Sequence, residues 1–260
     1  MSRTLRAGDR GLDVYQWQAF LQGRGEPLQP VGAFDEPTVS ATRRFQSARG
    51  LPQTGEADAA TLGAARTLGL VLVDYWADDP GYPALPEFGP LTDNASRMAL
   101  FGAFEFAPAP RPDNPEAIRF RDDWADRQLV TLELAQLRGL PGAPADARVR
   151  FHRRAAGALI GLWQAWDDAG LLGRIARFDG AFEPRFKRGR AAQGELSAHA
   201  FGAAFDVNAD WNALNQTPAR PGQPGCLHEL VPLANRFGFF WGGHFIRNRD
   251  GMHFEVAHVE

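Results

Sequence analysis

Two short clusters in the C-terminal half of the chain contain residue types that bind a divalent metal. Residues 197–206 contribute His199 and Asp206, and residues 250–255 contribute His253. Two imidazoles and one carboxylate suit Zn²⁺, and a catalytic zinc site keeps its fourth position open for water. A single histidine on a strand is more often a satisfied polar group, but the combined pattern predicts a zinc centre at these three side chains.

Strands and turns must bring these ligands together. His199 is expected on a turn that leads into the strand carrying Asp206, and Gly202 allows the backbone to pass close by. Strand alternation points Asp206 to one face and its neighbour Phe205 to the other. His253 is expected on a second strand, so neighbouring strands would bring the ligands into contact.

Charged residues near the clusters complete a hydrolytic site. Asp250 lies three residues before His253, where it can act as a general base toward the attacking water without being a ligand. Arg185 and Arg188 are alternative cations for the oxyanion of the tetrahedral intermediate, with Arg185 favoured. Glu255 shares a strand face with His253, so it is either a support for that ligand or an exposed rim carboxylate.

Bulk composition restricts the class of protein. The 260 residues are 44% hydrophobic and 23% charged, with a formal net charge of -3, which fits a soluble globular chain and demands no nucleic-acid partner. The sole cysteine, Cys226, excludes an internal disulfide. No run approaches the ~20 apolar residues of a membrane span, so we expect no membrane anchor. The N-terminus lacks the pattern of a secretory signal, so we expect synthesis in the cytoplasm.

The chain divides into two folded parts. Residues 1–70 contain three short helical patterns, in which Trp17-Gln18 and Phe45-Gln46 form a weak internal repeat. Residues 71–95 are rich in proline and glycine and predict a linker or irregular arm. Residues 96–260 form the larger domain.

Helical patterns come first in this larger domain and strands follow. One helix is predicted from an Asn114 cap to about Gly139, and another across 149–170. Strands are predicted at 204–208, 239–241 and 252–257, with a helix over 228–236 before the last two. This order predicts an α+β domain.

Motifs in both parts resemble known families. The pattern Ser-x-His-x-x-Gly-x-Ala-x-Asp at 197–206, followed by Asp-x-x-His-Phe-Glu at 250–255, resembles the M15 zinc peptidases, which have the D-Ala-D-Ala-peptidase/Hedgehog fold. The resemblance implies zinc ligands at His199, Asp206 and His253 and a catalytic acid/base at Asp250. Members with aspartate at this last position resemble endopeptidases that cut between L-Ala and D-Glu, whereas the D-Ala-D-Ala dipeptidases carry glutamate there.

The N-terminal part is similar to peptidoglycan-binding domain type 1. The likeness rests on an ordered series of glycines, aromatics and glutamines across residues 3–68. Ligand contacts are expected from the loops around 32–34 and 50–52.

These resemblances imply a zinc-dependent peptidoglycan hydrolase of the endolysin kind that cuts a stem-peptide amide, with L-Ala-D-Glu endopeptidase activity favoured. The alternatives are a D-Ala-D-Ala carboxypeptidase and a non-catalytic wall-binding or virion structural protein. The expected partner is bacterial peptidoglycan, the expected state is a monomer, and the expected place of action is the cell wall after phage lysis or another export route.

Overall fold

The computed structural model describes residues 4–9, 12–70, 72, 82–245 and 248–259. The chain forms two compact units, Met1–Gly89 and Pro90–Glu260. No helix in the described ranges is both long enough and apolar enough to cross a bilayer.

The N-terminal unit is built from three helices, α1 (Leu12–Gln22), α2 (Glu36–Ala48) and α3 (Ala59–Arg66). The side chain of Asp35 caps α2 by accepting a hydrogen bond from the backbone of Thr38, and Asp58 caps α3 by accepting one from Thr61. Each cap satisfies a backbone N–H that has no partner inside its helix. The predicted helices of this unit are therefore confirmed.

The repeated aromatic–glutamine pairs have a structural role in this unit. Trp17 and Phe45 pack edge to face in the core, with ring centroids 5.4 Å apart. The buried Gln18 side chain accepts hydrogen bonds from the backbone N–H groups of Val31 and Gly32. Gln46 is also buried and accepts one from Gly55. Each glutamine thereby fixes the glycine-containing loop that follows its helix.

The C-terminal unit mixes helices with three antiparallel sheets. Strands β1 and β2 form one two-stranded sheet, β3 and β4 form a second, and the third sheet has the order β5-β6-β8-β7. The elements in chain order are α4 (Asn94–Phe101), β1 (Phe106–Pro108), β2 (Ile118–Phe120), α5 (Trp124–Gln128), β3 (Leu129–Glu133), β4 (Arg148–His152), α6 (Ala156–Asp168), β5 (Phe178–Gly180), β6 (Ala204–Val207), α7 (Val231–Arg236), β7 (Phe239–Trp241) and β8 (His253–Val256).

The core of this unit lies between α6 and the four-stranded sheet. Phe205 of β6 stacks on Phe254 of β8 with centroids 5.4 Å apart. Trp163 and Trp166 of α6 pack against these two rings. All four side chains are fully buried, so they fix one face of the sheet and leave the opposite face for polar residues.

Two predicted helices differ from the structure. The helix predicted over 114–139 is wrong, because this segment contains β2, the short α5 and β3. The helix predicted across 149–170 begins at Ala156, and Val149 lies on β4. In β4, Val149 and Phe151 are buried and Arg148 and Arg150 are exposed, which is the two-residue period of a strand. Four strands therefore precede α6, and the predicted order of helices before strands is wrong, although the α+β class is confirmed.

The later elements agree with prediction. Strands β6, β7 and β8 form where strands were expected, and the segment 228–236 is a 3₁₀ turn followed by α7, with Pro232 in its first turn. The linker predicted over 71–95 lies partly outside the described residues, at 71 and 73–81, and α4 begins at Asn94. The limits at 70 and 96 stay predictions.

Candidate metal centre

Antiparallel pairing places Asp206 and His253 side by side. These residues are directly opposite each other in the ladder between β6 and β8. Opposite residues project to the same face of a sheet with their Cβ atoms about 4.5–5.5 Å apart. Because Phe205 and Phe254 occupy the other face, the core packing that holds the strands also fixes the direction of the polar pair.

His199 reaches the same point from a short 3₁₀ turn, Ala198–Phe201. Ser197 caps this turn, and Gly202 ends it with a left-handed backbone at φ 61°. A Cβ atom on Gly202 would lie 2.6 Å from Leu129 Cδ2 and 3.2 Å from the His152 backbone nitrogen. The glycine is therefore required by both conformation and space, and it sets where the histidine turn meets β6.

The three predicted ligands converge in the structure. His199 Nε2 lies 3.2 Å from Asp206 Oδ1 and 3.1 Å from His253 Nδ1, and His253 Nδ1 lies 2.9 Å from the same Asp206 oxygen. All three side chains are buried, and one ligand atom from each lies within 4.8 Å of the others. This buried His–Asp–His group could hold a metal ion.

Hydrogen bonds on the outer nitrogens orient both imidazoles for metal binding. His199 Nδ1 donates to the Ala181 carbonyl at 2.5 Å, and His253 Nε2 donates to Glu255 Oε2 at 3.3 Å. Each histidine thus uses one nitrogen outward and turns the other toward Asp206. Histidine ligands in metalloproteins are oriented in this way by a carbonyl or carboxylate, so the donor set fits a divalent ion.

The charges of His199 and His253 affect the pKa of Asp206, and the charge of Asp206 affects the pKa of His253. Burial alone would raise the pKa of Asp206, but His199 and His253 outweigh it and hold the pKa well below its ordinary value. Burial alone would lower the pKa of His253, but hydrogen bonds to Asp206 and Glu255 raise it to about 10. The protonation of the two imidazoles and the carboxylate is therefore mutually dependent.

Asp250 lies on the turn before β8. Its backbone N–H donates to the Gly242 carbonyl at 3.0 Å, and the Trp241 indole donates to the Gly251 carbonyl at 2.6 Å, so both sides of the turn are fixed. Burial raises the pKa of the Asp250 carboxyl to about 6, with the charge of His253 opposing the shift. Within the described residues, no donor meets its buried Oδ1.

The two arginine alternatives occupy different environments. Arg185 is half-buried, and burial lowers its pKa while Asp206 and Asp250 raise it, so its charge acts on the site. Arg188 is exposed and lies 3.7 Å from Glu116 in an ion pair. Arg185 therefore stays the predicted cation, because Asp206 and Asp250 act on its charge.

Sequence reasoning missed Arg97 and left Glu255 open. Glu255 is buried, so the exposed-rim alternative is wrong. Arg97 of α4 is also buried, and its Nη2 lies 3.5 Å from Glu255 Oε2. The only local signal was a single arginine in the otherwise uncharged helix Asn94–Phe101.

Comparisons with known proteins assign both parts of the chain. Residues 190–256, which include all three converging side chains and Asp250, match the family model of peptidase family M15 described as D-alanyl-D-alanine carboxypeptidase. The C-terminal unit contains an M15 peptidase domain. Residues 10–64 match the model of a peptidoglycan binding domain.

One solved structure with similarity to this chain is the crystal structure of the Burkholderia AP3 phage endolysin. The sequences are 30% identical over 31% of this chain and 28% of that chain, with a TM-score of 0.24. The match therefore spans less than a third of the endolysin. No protein in the curated set matches the chain.

Proposed function

We propose that this protein is a zinc-dependent peptidoglycan peptidase that hydrolyses an amide bond in the stem peptide. The observation that carries the proposal is the convergence of His199, Asp206 and His253 within 4.8 Å inside an M15 domain. Two imidazoles and one carboxylate leave a fourth position open, which is the arrangement of catalytic rather than structural zinc sites. When bound, Zn²⁺ supplies Lewis acidity toward water and toward the scissile carbonyl.

Asp250 and Arg185 perform the remaining steps. The Asp250 carboxylate accepts the proton of the attacking water and later passes it to the leaving amine. A carboxyl whose pKa is raised to about 6 by burial suits both transfers, because it both takes up and releases a proton near neutral pH. Arg185 supplies a fixed positive charge toward the oxyanion that develops on the carbonyl oxygen.

The bond we favour is the one between L-Ala and D-Glu. Asp250 supports this choice, because M15 members with aspartate at the matching position resemble endopeptidases that cut between L-Ala and D-Glu. The second candidate is D-Ala-D-Ala carboxypeptidase activity, which the description of the matching family model favours. The two activities release different products from the same substrate, so one digest distinguishes them.

The N-terminal unit concentrates the enzyme on its substrate. Once the binding module is attached to the polymer, the linked catalytic domain meets its substrate in an intramolecular step. This linkage raises the effective concentration of the catalytic domain at the substrate. Such targeting benefits an enzyme that acts within an insoluble, cross-linked polymer. We therefore place the protein at the cell wall, as a monomeric endolysin-like enzyme that acts after release from the cytoplasm.

The decisive experiment is digestion of purified muropeptides followed by mass spectrometry. A new N-terminal D-Glu would identify the endopeptidase, and loss of a single D-Ala would identify the carboxypeptidase. Wild-type protein loaded with Zn²⁺ that leaves every stem peptide intact would refute both activities.

Asp250→Asn provides the matched control for this digest. The variant keeps the shape of the side chain and removes its proton affinity, so turnover should fall by about 10²- to 10⁴-fold. Its zinc content, measured by plasma mass spectrometry, should equal that of the wild type because Asp250 is not a ligand. Full activity in this variant would remove Asp250 from the mechanism.

A further inference from the structure

A buried chain of charged side chains leads away from the metal centre to helix α4. His253 Nε2 lies 3.3 Å from Glu255 Oε2, and the same oxygen lies 3.5 Å from Arg97 Nη2. Both Arg97 and Glu255 are 3% exposed. The two residues are distant in sequence, so this contact exists only because the fold places α4 beside β8.

Burial of the Arg97 guanidinium costs free energy, because the charge loses its hydration. A buried ion pair often stabilises a fold no better than apolar side chains of similar volume. Moreover, the Nε and Nη1 atoms of Arg97 have no hydrogen-bond partner among the described residues. Packing alone therefore does not account for this arginine, whereas its contact with Glu255 gives the carboxylate one defined position.

Helix α4 is held firmly against the segment that leads to the His199 turn. Asn94, its first residue, donates from Nδ2 to the Gly194 carbonyl at 2.8 Å and accepts at Oδ1 from the Leu196 N–H at 2.9 Å. At the other end, the Phe101 carbonyl accepts hydrogen bonds from Trp124 Nε1 and His152 Nε2. The helix is thus anchored at both ends, as a rigid support for Arg97.

We propose that Arg97 is a positioning residue for the metal centre, acting through Glu255 on the His253 imidazole. Arg97 fixes the Glu255 carboxylate, and Glu255 accepts from His253 Nε2, so that Nδ1 faces Asp206 and His199. The inference rests on the proposed function, since it assumes that the three ligands bind Zn²⁺. It extends that site to a helix outside the segment that matches the M15 family model.

The test is a double-mutant cycle on Zn²⁺ affinity, measured by competition with a chromogenic chelator. Glu255→Gln and Arg97→Met should each weaken Zn²⁺ binding by about 10- to 100-fold, which is typical when an outer-shell partner of a histidine ligand is lost. The double variant should lose about as much as either single variant, because the two residues act in series. The absorption spectrum of bound Co²⁺ should change in all three, reporting altered ligand geometry.

Controls separate this role from general destabilisation. Leu162→Ala removes a buried side chain of α6 that belongs to no part of the charged chain, so it should lower stability and leave Zn²⁺ affinity and the Co²⁺ spectrum unchanged. If Arg97→Met does not fold, Arg97→Lys keeps the cation with a shorter reach. Arg97→Lys should weaken Zn²⁺ binding when Glu255 is present. It should cause no further loss when it is combined with Glu255→Gln.

Each outcome of the cycle is informative. Wild-type affinity in the folded Arg97 variants, or losses that multiply in the double variant, would overturn the inference and leave the proposed function intact. Wild-type protein that binds no Zn²⁺ would overturn both.

Discussion

The position of Gly202 yields a prediction that links the fold directly to the metal centre. Gly202→Ala places a Cβ on a residue with φ 61°, 2.6 Å from Leu129 Cδ2 and 3.2 Å from the His152 backbone nitrogen. The left-handed conformation costs an alanine about 1–2 kcal/mol. Crowding in a packed interior costs about 1–3 kcal/mol more, so the free energy of unfolding should fall by about 2–5 kcal/mol in total.

Gly170→Ala is the matched control for this substitution. Gly170 also has a left-handed backbone, with φ 68°, but a Cβ there would meet no atom within 4 Å. This variant should lose only the conformational part, about 1–2 kcal/mol. The difference between the two variants therefore isolates the crowding behind the His199 turn.

Urea denaturation followed by tryptophan fluorescence measures both effects. Zn²⁺ affinity supplies an independent measurement, because displacement of the turn moves His199 and should weaken binding in Gly202→Ala alone. Equal losses of stability in the two variants, with unchanged Zn²⁺ affinity in both, would refute the argument that Gly202 sets the position of His199.

Three further predictions concern other parts of the molecule. Asp58→Ala removes the side chain that accepts from the Thr61 N–H, and calorimetry should show the N-terminal unit losing about 1 kcal/mol. Trp166→Phe leaves the Leu230 carbonyl without its indole donor, and denaturant titration should show a loss of about 1–3 kcal/mol. Burial lowers the pKa of His152 below its usual 6.5. Protonation therefore favours the unfolded chain, and the contribution of His152 to stability should fall as pH drops below about 6.5. His152→Gln should remove this contribution and change the slope of stability against pH between 7.5 and 5.5, whereas an identical slope in the variant would refute it.

The convergence of His199, Asp206 and His253 could be predicted because it depends on short-range sequence patterns. Alternation along a strand separates Asp206 from Phe205, and a histidine on a glycine-ended turn precedes that strand by only a few residues. The register that sets Asp206 opposite His253 continues the same alternation into β8. Strand alternation therefore predicted which side chains face the site, whereas the distances between their atoms required the structure.

Two features escaped local reasoning for physical reasons. The helix predicted over 114–139 failed because β3 is formed by pairing with β4, where Val130 faces Phe151, and tertiary pairing overrides helical propensity in a short segment. Asn114 does not begin a helix there, and its side chain instead donates to Glu183. Arg97 was missed because its partner on β8 is distant in sequence, and no periodicity reports such a contact.

The buried glutamines of the N-terminal unit have a consequence for handling the protein. Gln18 uses its whole amide, accepting from two backbone N–H groups and donating to the Ala33 carbonyl and to Thr38 Oγ1. These contacts fasten the loop without any covalent cross-link, and Cys226 is the only thiol in the chain. The unit should therefore reach the same structure in reducing and oxidising buffers, and survive transfer from one redox environment to the other.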